Sequence, residues 1–145
     1  MKNRTIKYFS AIALATVLAS CNTRYLKEGE MLYTGAKIDI KGDSISKKNR
    51  NELKDGLEAN LTPKPNSSFL GLRPRLWIYN ITKEPKKQKG LGYWLKYRVG
   101  EKPVLLGDVD REFNRKIIVN YSENKGYFNA KASYDTIAKN KKAKV

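Results

Sequence analysis

The first 21 residues constrain the folded protein most, because they are typical of a leader that is removed and not of a domain element. A basic start over residues 1–4 precedes an apolar run from Phe9 to Leu18. The run is about ten residues long, which suits a secretion signal and is too short to span a membrane. Small residues before Cys21 allow a peptidase to cut between Ser20 and Cys21. The pattern predicts a lipoprotein signal peptide over residues 1–20 and a covalent lipid on Cys21.

The alternative for this segment is an ordinary signal peptide, or a buried helix, followed by a chance cysteine. Cys21 is the only cysteine in the chain, and it stands at the one position that lipidation requires. The sequence therefore favours the lipoprotein interpretation.

Composition limits the chemistry of the mature chain. Removal of 20 residues from 145 leaves 125, enough for one domain with a core of its own. An acylated Cys21 leaves no thiol, so no disulfide can form within the chain. The sequence has no histidine, which excludes Ser-His-Asp and Cys-His nucleophile systems and the usual His/Cys zinc sites. We expect a protein that is not an enzyme and carries no cofactor other than the lipid on Cys21.

Net charge narrows the choice of partner. The formal charge is +16, and once Lys2, Arg4 and Lys7 leave with the signal peptide, 27 Lys and Arg against 14 Asp and Glu give +13. Such an excess attracts anionic surfaces, and export favours lipid head groups or acidic partners over nucleic acid. The alternative is a lysine-rich, solvated surface without a partner.

The first part of the mature chain has a strand pattern and a helix pattern. A polar tether over residues 21–30 precedes alternating residues 36–41, in which Ala36, Ile38 and Ile40 would face a core. A helix is predicted from about residue 46 to residue 60, capped by Ser44 or Ser46 and with Gly56 as a local weakness. Its apolar stripe comprises Ile45, Leu53, Leu57 and Leu61.

Residues 62–107 form an insert with weaker patterns. Prolines at 63 and 65 end the first helix, and the apolar residues 69–80 follow without a clear period. A charged loop over residues 83–90 precedes a short amphipathic helix, whose predicted apolar face is Leu91, Trp94, Leu95 and Val99.

The last part of the chain predicts a helix between two strand signals. Asp108 is the expected N-cap, and Gly126 is the expected C′ residue. The predicted buried stripe of the helix is Val109, Phe113, Ile117 and Tyr121. The next strand is predicted over residues 128–137, with Phe128, Ala130, Ala132 and Tyr134 on one face. A basic turn over residues 139–142 leads to a further strand that starts at Ala143.

Two clusters are candidates for sites. Asp108, Asp110 and Glu112 lie at a helix start, where capping and the helix dipole explain them without catalysis. A second cluster interleaves aromatic and basic side chains: Arg73, Arg75, Trp77, Tyr79, Tyr93, Trp94, Lys96, Tyr97 and Arg98. That composition suits a membrane interface or single-stranded nucleic acid, and the alternative is a small packing core.

The segment Asn124-Lys125-Gly126-Tyr127-Phe128 resembles the helix-to-strand turn of POTRA domains in the BamA/TamA family of outer-membrane assembly factors. Upstream, residues 65–71, 76–80 and 100–104 resemble, in the same order, the amino-terminal region of the lipid-anchored, TamL-like members of that family. The lipidation motif and the tether fit the same group.

The resemblance implies an α+β fold, a POTRA-like β-α-α-β-β domain over residues 31–145 with the insert at 62–107 and an incomplete last strand. It implies an outer-membrane lipoprotein that faces the periplasm and that precedes further such domains and a barrel if the reading frame continues. Unfolded outer-membrane proteins, or assembly and translocation partners, would bind by strand addition to a free sheet edge. That edge would be the 128–137 strand, with Phe128, Ala130, Ala132 and Tyr134, or the first strand. The alternative is a small structural lipoprotein that binds anionic lipid or cell-wall polymer.

Overall fold

The computed structural model describes residues 23–42 and 45–145, so the predicted signal peptide, its cleavage site at Ser20 and the lipidation site Cys21 lie outside the described residues. The described residues hold both helices and strands, which confirms the α+β class. In chain order the elements are β1 (Leu32–Tyr33), α1 (Lys47–Asn60), α2 (Pro74–Ile81), α3 (Leu91–Trp94, continued by a π-helical turn over Leu95–Val99), a 3₁₀ turn (Leu106–Asp108), α4 (Arg111–Asn124), β2 (Ile137–Lys139) and β3 (Lys142–Lys144).

The chain divides into two compact units. We call residues 30–65 with 104–145 the sheet unit, and residues 23–29 with 66–103 the insert unit. The sheet unit has the order strand, helix, helix, strand, strand, and its three strands lie in the spatial order β1-β3-β2. β3 pairs in parallel with β1 and antiparallel with β2.

Helix α1 forms largely as the sequence predicts. Ser46 is the N-cap, with its hydroxyl oxygen accepting a hydrogen bond from the Asn49 backbone N–H at 3.2 Å. Leu53, Leu57 and Leu61 of the predicted stripe are buried. Gly56 is also a contact point: a Cβ there would lie 2.0 Å from the hydroxyl oxygen of Tyr121 on α4. A side chain at position 56 would collide with the Tyr121 ring where it now lies.

The start of α4 differs from the prediction, and of its predicted buried stripe Val109 is buried but Phe113 is not. Asp110 is the N-cap and accepts a hydrogen bond from the Phe113 N–H, whereas Asp108 accepts one from the Leu105 N–H inside the 3₁₀ turn. Phe113 is 51% exposed, while the adjacent Asn114 is only 7% exposed. The side chain of Asn114 accepts a hydrogen bond from the Thr62 N–H at 3.0 Å and donates one to the Thr62 carbonyl at 2.7 Å. These two bonds allow an amide to occupy the core-facing position.

The end of α4 confirms the prediction for Gly126. Its φ is 92°, in the left-handed region that glycine tolerates best. The Gly126 N–H donates to the Glu123 carbonyl, and the Tyr127 N–H donates to the Ser122 carbonyl at 2.9 Å. Together these bonds make a Schellman motif, which satisfies carbonyls that the helix end leaves free.

The first predicted strand, residues 36–41, is wrong as a strand, since β1 lies earlier. Ala36, Ile38 and Ile40 are nevertheless more buried than the residues between them, as the alternation predicted. Their backbone pairing stops after the Lys37 N–H, which donates to the Val145 carbonyl at 2.9 Å. Among the described residues, no strand pairs with residues 38–41.

The strand predicted over residues 128–137 is also wrong. Residues 128–136 include a turn closed by the Ala130 N–H on the Tyr127 carbonyl, and the strand β2 begins only at Ile137. The final strand is present as β3, with the turn confined to Asn140 and Lys141. An alternating pattern predicts which face of a segment is buried but does not supply the partner that makes it a strand.

The insert unit is built on α2 and α3, and α2 occupies the segment that showed no clear period. The predicted apolar face of α3 is wrong, because Leu91 and Trp94 are exposed and Lys96 is buried. From Leu95 onward the helix continues as a π-helical turn, in which the Gly100 N–H reaches back to the Leu95 carbonyl. One extra residue in the turn shifts the phase of every side chain after it.

Candidate functional site

Among the described residues, one edge of the three-stranded sheet has no neighbouring strand, and that edge is β2. The outer side of β1 is covered, because the Tyr33 N–H donates to the Val104 carbonyl and the Leu106 N–H donates to the Met31 carbonyl. Leu32 also forms an antiparallel bridge with Leu105. The sequence left open whether the first or a later strand is free, and in the described part of the chain the covered edge is the first one.

The backbone of Ala138 points toward the open edge. Ala138 pairs with Ala143 of β3, and the Ala143 carbonyl already accepts from the Thr34 N–H at 2.8 Å on the β1 side. In an antiparallel ladder, residue pairs alternate between those that exchange hydrogen bonds and those that face away from each other. The Ala138 N–H and C=O therefore face away from β3. They have no hydrogen-bond partner among the residues that the structure describes.

The hairpin turn fixes the register of this edge. Asn140 and Lys141 both have positive φ, 51° and 57°, as the two-residue type I′ turn requires. Such a turn makes Lys139 and Lys142 the pair that closes the hairpin, in agreement with the observed register. Asparagine tolerates the left-handed region, so Asn140 was the sequence signal for this hairpin.

The side chains beside the edge are basic and apolar. Ile137 lies opposite Lys144, and Lys139 lies opposite Lys142, so these four share one face of the hairpin. They border a shallow cavity of about 340 Å³ together with Thr34, Asn140 and Ala143. Ile137 is 71% exposed, and the ion pairs of the described residues do not include these lysines. Like charges directly opposite each other destabilise a hairpin, so this face favours an acidic partner.

The segment before β2 is attached to the start of α4. The Arg111 guanidinium donates to the Thr136 hydroxyl at 3.4 Å and lies over the Tyr134 ring, 5.9 Å from its centroid. The Asp135 carboxylate accepts a hydrogen bond from the Thr136 N–H at 2.7 Å. These contacts position the chain as it enters β2.

The predicted partner-binding residues lie upstream of the edge that the structure leaves open. Phe128 and Tyr134 are exposed, and Ala130 and Ala132 are partly buried, but none of the four belongs to a strand. The structure thus moves the candidate edge from residues 128–137 to β2.

The predicted cluster of aromatic and basic side chains is partly assembled in the insert unit. The Tyr97 ring packs against Tyr93, with centroids 5.0 Å apart, and meets Tyr79 edge-on at 6.2 Å. Lys96 Nζ lies 2.8 Å from a carboxylate oxygen of Glu84 and 4.9 Å from the centroid of the Tyr79 ring. Trp94 lies outside this group and is exposed.

Hydrogen bonds within that cluster shift the titration of two groups. The Tyr97 hydroxyl donates to Glu84, which raises the pKa of Tyr97 to about 12. Hydrogen bonds from Lys96 and Tyr97 lower the pKa of the Glu84 carboxyl. The Lys96 ammonium and the Glu84 carboxylate at the centre of the cluster therefore pair with each other.

The three carboxylates at the start of α4 have structural partners. Asp108 and Asp110 cap backbone N–H groups, and Glu112 accepts a two-pronged hydrogen bond from Arg115. The Arg115 bond lowers the pKa of Glu112. Across the described residues, no group of three or more His, Cys, Asp and Glu side chains is placed to hold a metal ion.

Comparisons with known proteins give no assignment: no protein-family model, curated protein or solved structure matches the chain. Of the helices described, none has the length and apolarity to cross a membrane.

Proposed function

We propose that the chain is a lipid-anchored periplasmic module of an outer-membrane protein assembly or translocation factor, POTRA-like and of the BamA/TamA type, which binds client or partner chains by strand addition at β2. The single observation that carries the proposal is the open β2 edge, where the backbone of Ala138 faces outward. The order strand, helix, helix, strand, strand in the sheet unit supports the POTRA comparison.

Strand addition suits this edge physically. An extended client offers a regular row of backbone donors and acceptors, and β2 offers the complementary groups whatever the client sequence. Because those groups belong to the backbone, one edge can accept many different clients. This is the property that a factor handling many outer-membrane proteins needs.

The side chains favour an acidic partner over a second copy of the chain. Pairing of two β2 strands would bring the lysines of two hairpins together, and like charges across a strand pair are destabilising. A short edge strand that carries lysine is also protected against edge-to-edge association. An extended partner segment with Asp or Glu opposite Lys139 would instead be attracted by the positive charge of the lysine.

The experiment combines photo-crosslinking from position 137 in cells with a substitution at Ala138. Ala138→Pro removes the outward N–H, while the hydrogen bonds between β2 and β3 stay intact because they belong to neighbouring residues. Ala138→Val is the matched control, since valine keeps the N–H and favours a strand. We expect crosslinks to outer-membrane protein precursors or assembly partners in the parent and in Ala138→Val, and their loss in Ala138→Pro.

Amide exchange at Lys139, which bonds to β3, checks that the hairpin persists in Ala138→Pro. Equal crosslinking in both variants, with the hairpin intact, would rule out strand addition at β2. Crosslinks only to lipid or cell-wall material would favour the alternative of a structural lipoprotein that binds anionic lipid or polymer.

A further inference from the structure

The insert unit concentrates basic and aromatic residues. Its described residues contain eleven Lys and Arg against three Glu, and they include both tryptophans of the chain. Most of the large apolar side chains that the described residues expose also belong to it: Tyr25, Phe69, Leu70, Ile81, Leu91, Trp94 and Tyr97. Exposed apolar groups in a basic, aromatic-rich setting are typical of proteins that bind membrane interfaces.

A tight turn over Phe69–Leu72 presents the most exposed of these side chains. Phe69 is 70% exposed and Leu70 is 86% exposed. Phe69 and Leu72 exchange two backbone hydrogen bonds, at 2.8 and 2.9 Å. Four backbone polar groups near the tip are therefore already paired, and this lowers the cost of moving the tip out of water.

The backbone at the tip is held in a conformation that leucine disfavours. Leu70 has a φ of 49°, and Gly71 has a φ of 78°. The left-handed region costs a residue with a side chain roughly 1 kcal/mol. Burial in the protein does not offset that cost at Leu70, since its side chain is almost wholly exposed.

The base of the turn is fixed within the insert unit. The Ser67 N–H and hydroxyl both donate to the Glu101 carboxylate, and the Asn66 side-chain amide donates to the Lys102 carbonyl at 2.7 Å. These contacts fix the chain two and three residues before Phe69, at the base from which Phe69 and Leu70 project.

We propose that the Phe69–Leu72 turn inserts into the interfacial region of an anionic phospholipid bilayer, with the basic excess of the insert unit strengthening the contact. The lipid occupant fits on charge, since head groups complement eleven basic residues against three acidic ones. It also fits on distance: Thr23, at the start of the insert unit, lies two residues after Cys21, within about 7 Å of chain. This second point depends on the lipid anchor of the proposed function.

The test uses the lipidated chain in vesicles of phosphatidylethanolamine and phosphatidylglycerol. An acylated Cys21 offers no thiol, so a cysteine introduced by Leu70→Cys is the one site that a membrane-impermeant maleimide can label. Ile137→Cys on β2 is the matched control, because Ile137 is also a highly exposed aliphatic residue. Each labelling rate is divided by the rate of the same variant unfolded in urea.

We expect the normalised rate at position 70 to be about tenfold lower than at position 137, the factor that burial of one large apolar side chain gives. Adding Phe69→Ser to Leu70→Cys is expected to restore most of the labelling. Equal normalised rates at 70 and 137 would overturn the proposal. Protection that rises with protein concentration and needs no lipid would also overturn it, in favour of self-association.

Neutral phosphatidylcholine in place of phosphatidylglycerol is expected to weaken the protection, and unchanged protection would contradict the part assigned to charge. The mass of the Cys21 peptide is measured first. A peptide without acyl chains would refute the anchor, and the turn is then tested on the same protein with vesicles added. Crosslinking at position 137 tests strand addition separately, so failure of one proposal is distinguishable from failure of the other.

Discussion

Replacement of Asn114 by alanine is expected to destabilise the protein more than replacement of its larger neighbour Phe113. Asn114 makes two hydrogen bonds to the backbone of Thr62, each worth about 1 kcal/mol net, and the loss of a buried partner adds to this. Asn114→Ala should therefore cost about 2–4 kcal/mol. Phe113 is half exposed, so Phe113→Ala removes only part of a full burial term and should cost about 1 kcal/mol.

Urea unfolding of the full chain, followed by circular dichroism, measures both costs, and thermal midpoints give a second reading. A difference of 1 kcal/mol corresponds to about 4–8 °C for a unit of this size. Asn114→Asp serves as a further variant, since it keeps the acceptor for the Thr62 N–H and loses the donor to the Thr62 carbonyl. If Phe113→Ala lowered the free energy of unfolding as much as Asn114→Ala, the orientation of α4 with Asn114 toward the core would be wrong.

Two further perturbations test the packing of each unit. Gly56→Ala gains helix propensity but places a Cβ 2.0 Å from the Tyr121 hydroxyl. We therefore expect urea unfolding to show a net loss of stability of about 1–2 kcal/mol, which Tyr121→Phe should partly restore. In the insert unit, Glu84→Gln should lower the pKa of Tyr97 from about 12 toward its ordinary value, measured by ultraviolet titration. The pKa of Glu84 is lowered in the folded state, so its contacts stabilise the protein fully at pH values above the ordinary pKa of a glutamate. This stabilisation is lost as the pH falls through the lowered pKa.

Local signals in the sequence predicted the start of α1 and the end of α4, but not the start of α4. Ser46 caps α1 and Gly126 ends α4, because each function depends on a few adjacent backbone atoms and one residue type. The burial of the α1 leucines was equally predictable, since Leu53 and Leu57 repeat at the helical period.

The error on the buried face of α4 comes from a partner that is distant in sequence. The burial of Asn114 depends on Thr62, 52 residues away, and nothing near Asn114 signals that contact. The exposure of Phe113 follows from the same rotation of α4. The 128–137 segment alternates as a strand does, yet pairing needs a neighbouring strand, and on this side β3 pairs with residues 137–139, leaving 128–136 without a strand partner among the described residues.

The sequence predicted a free strand edge as the binding site, but not which strand provides it. Strand addition was expected from the resemblance, and the turn predicted over residues 139–142 contains the Asn140–Lys141 turn that closes the hairpin. The choice between the two edges could not be made from the sequence, because the segment at Val104 to Leu106 that covers β1 has no strand pattern of its own.

The two proposed surfaces depend on different forces, and salt separates them. Contact between the insert unit and a bilayer draws on many exposed charges, which are screened within about 10 Å at 0.1 M salt. Strand addition at β2 draws on backbone hydrogen bonds, which salt affects little, with the hairpin lysines contributing mainly to the rate of encounter. Added salt should therefore weaken the protection of position 70 on anionic vesicles while crosslinking from position 137 persists. If added salt reduced both the protection of position 70 and the crosslinking from position 137, both contacts would depend on charge. The assignment of different forces to the two surfaces would then be wrong.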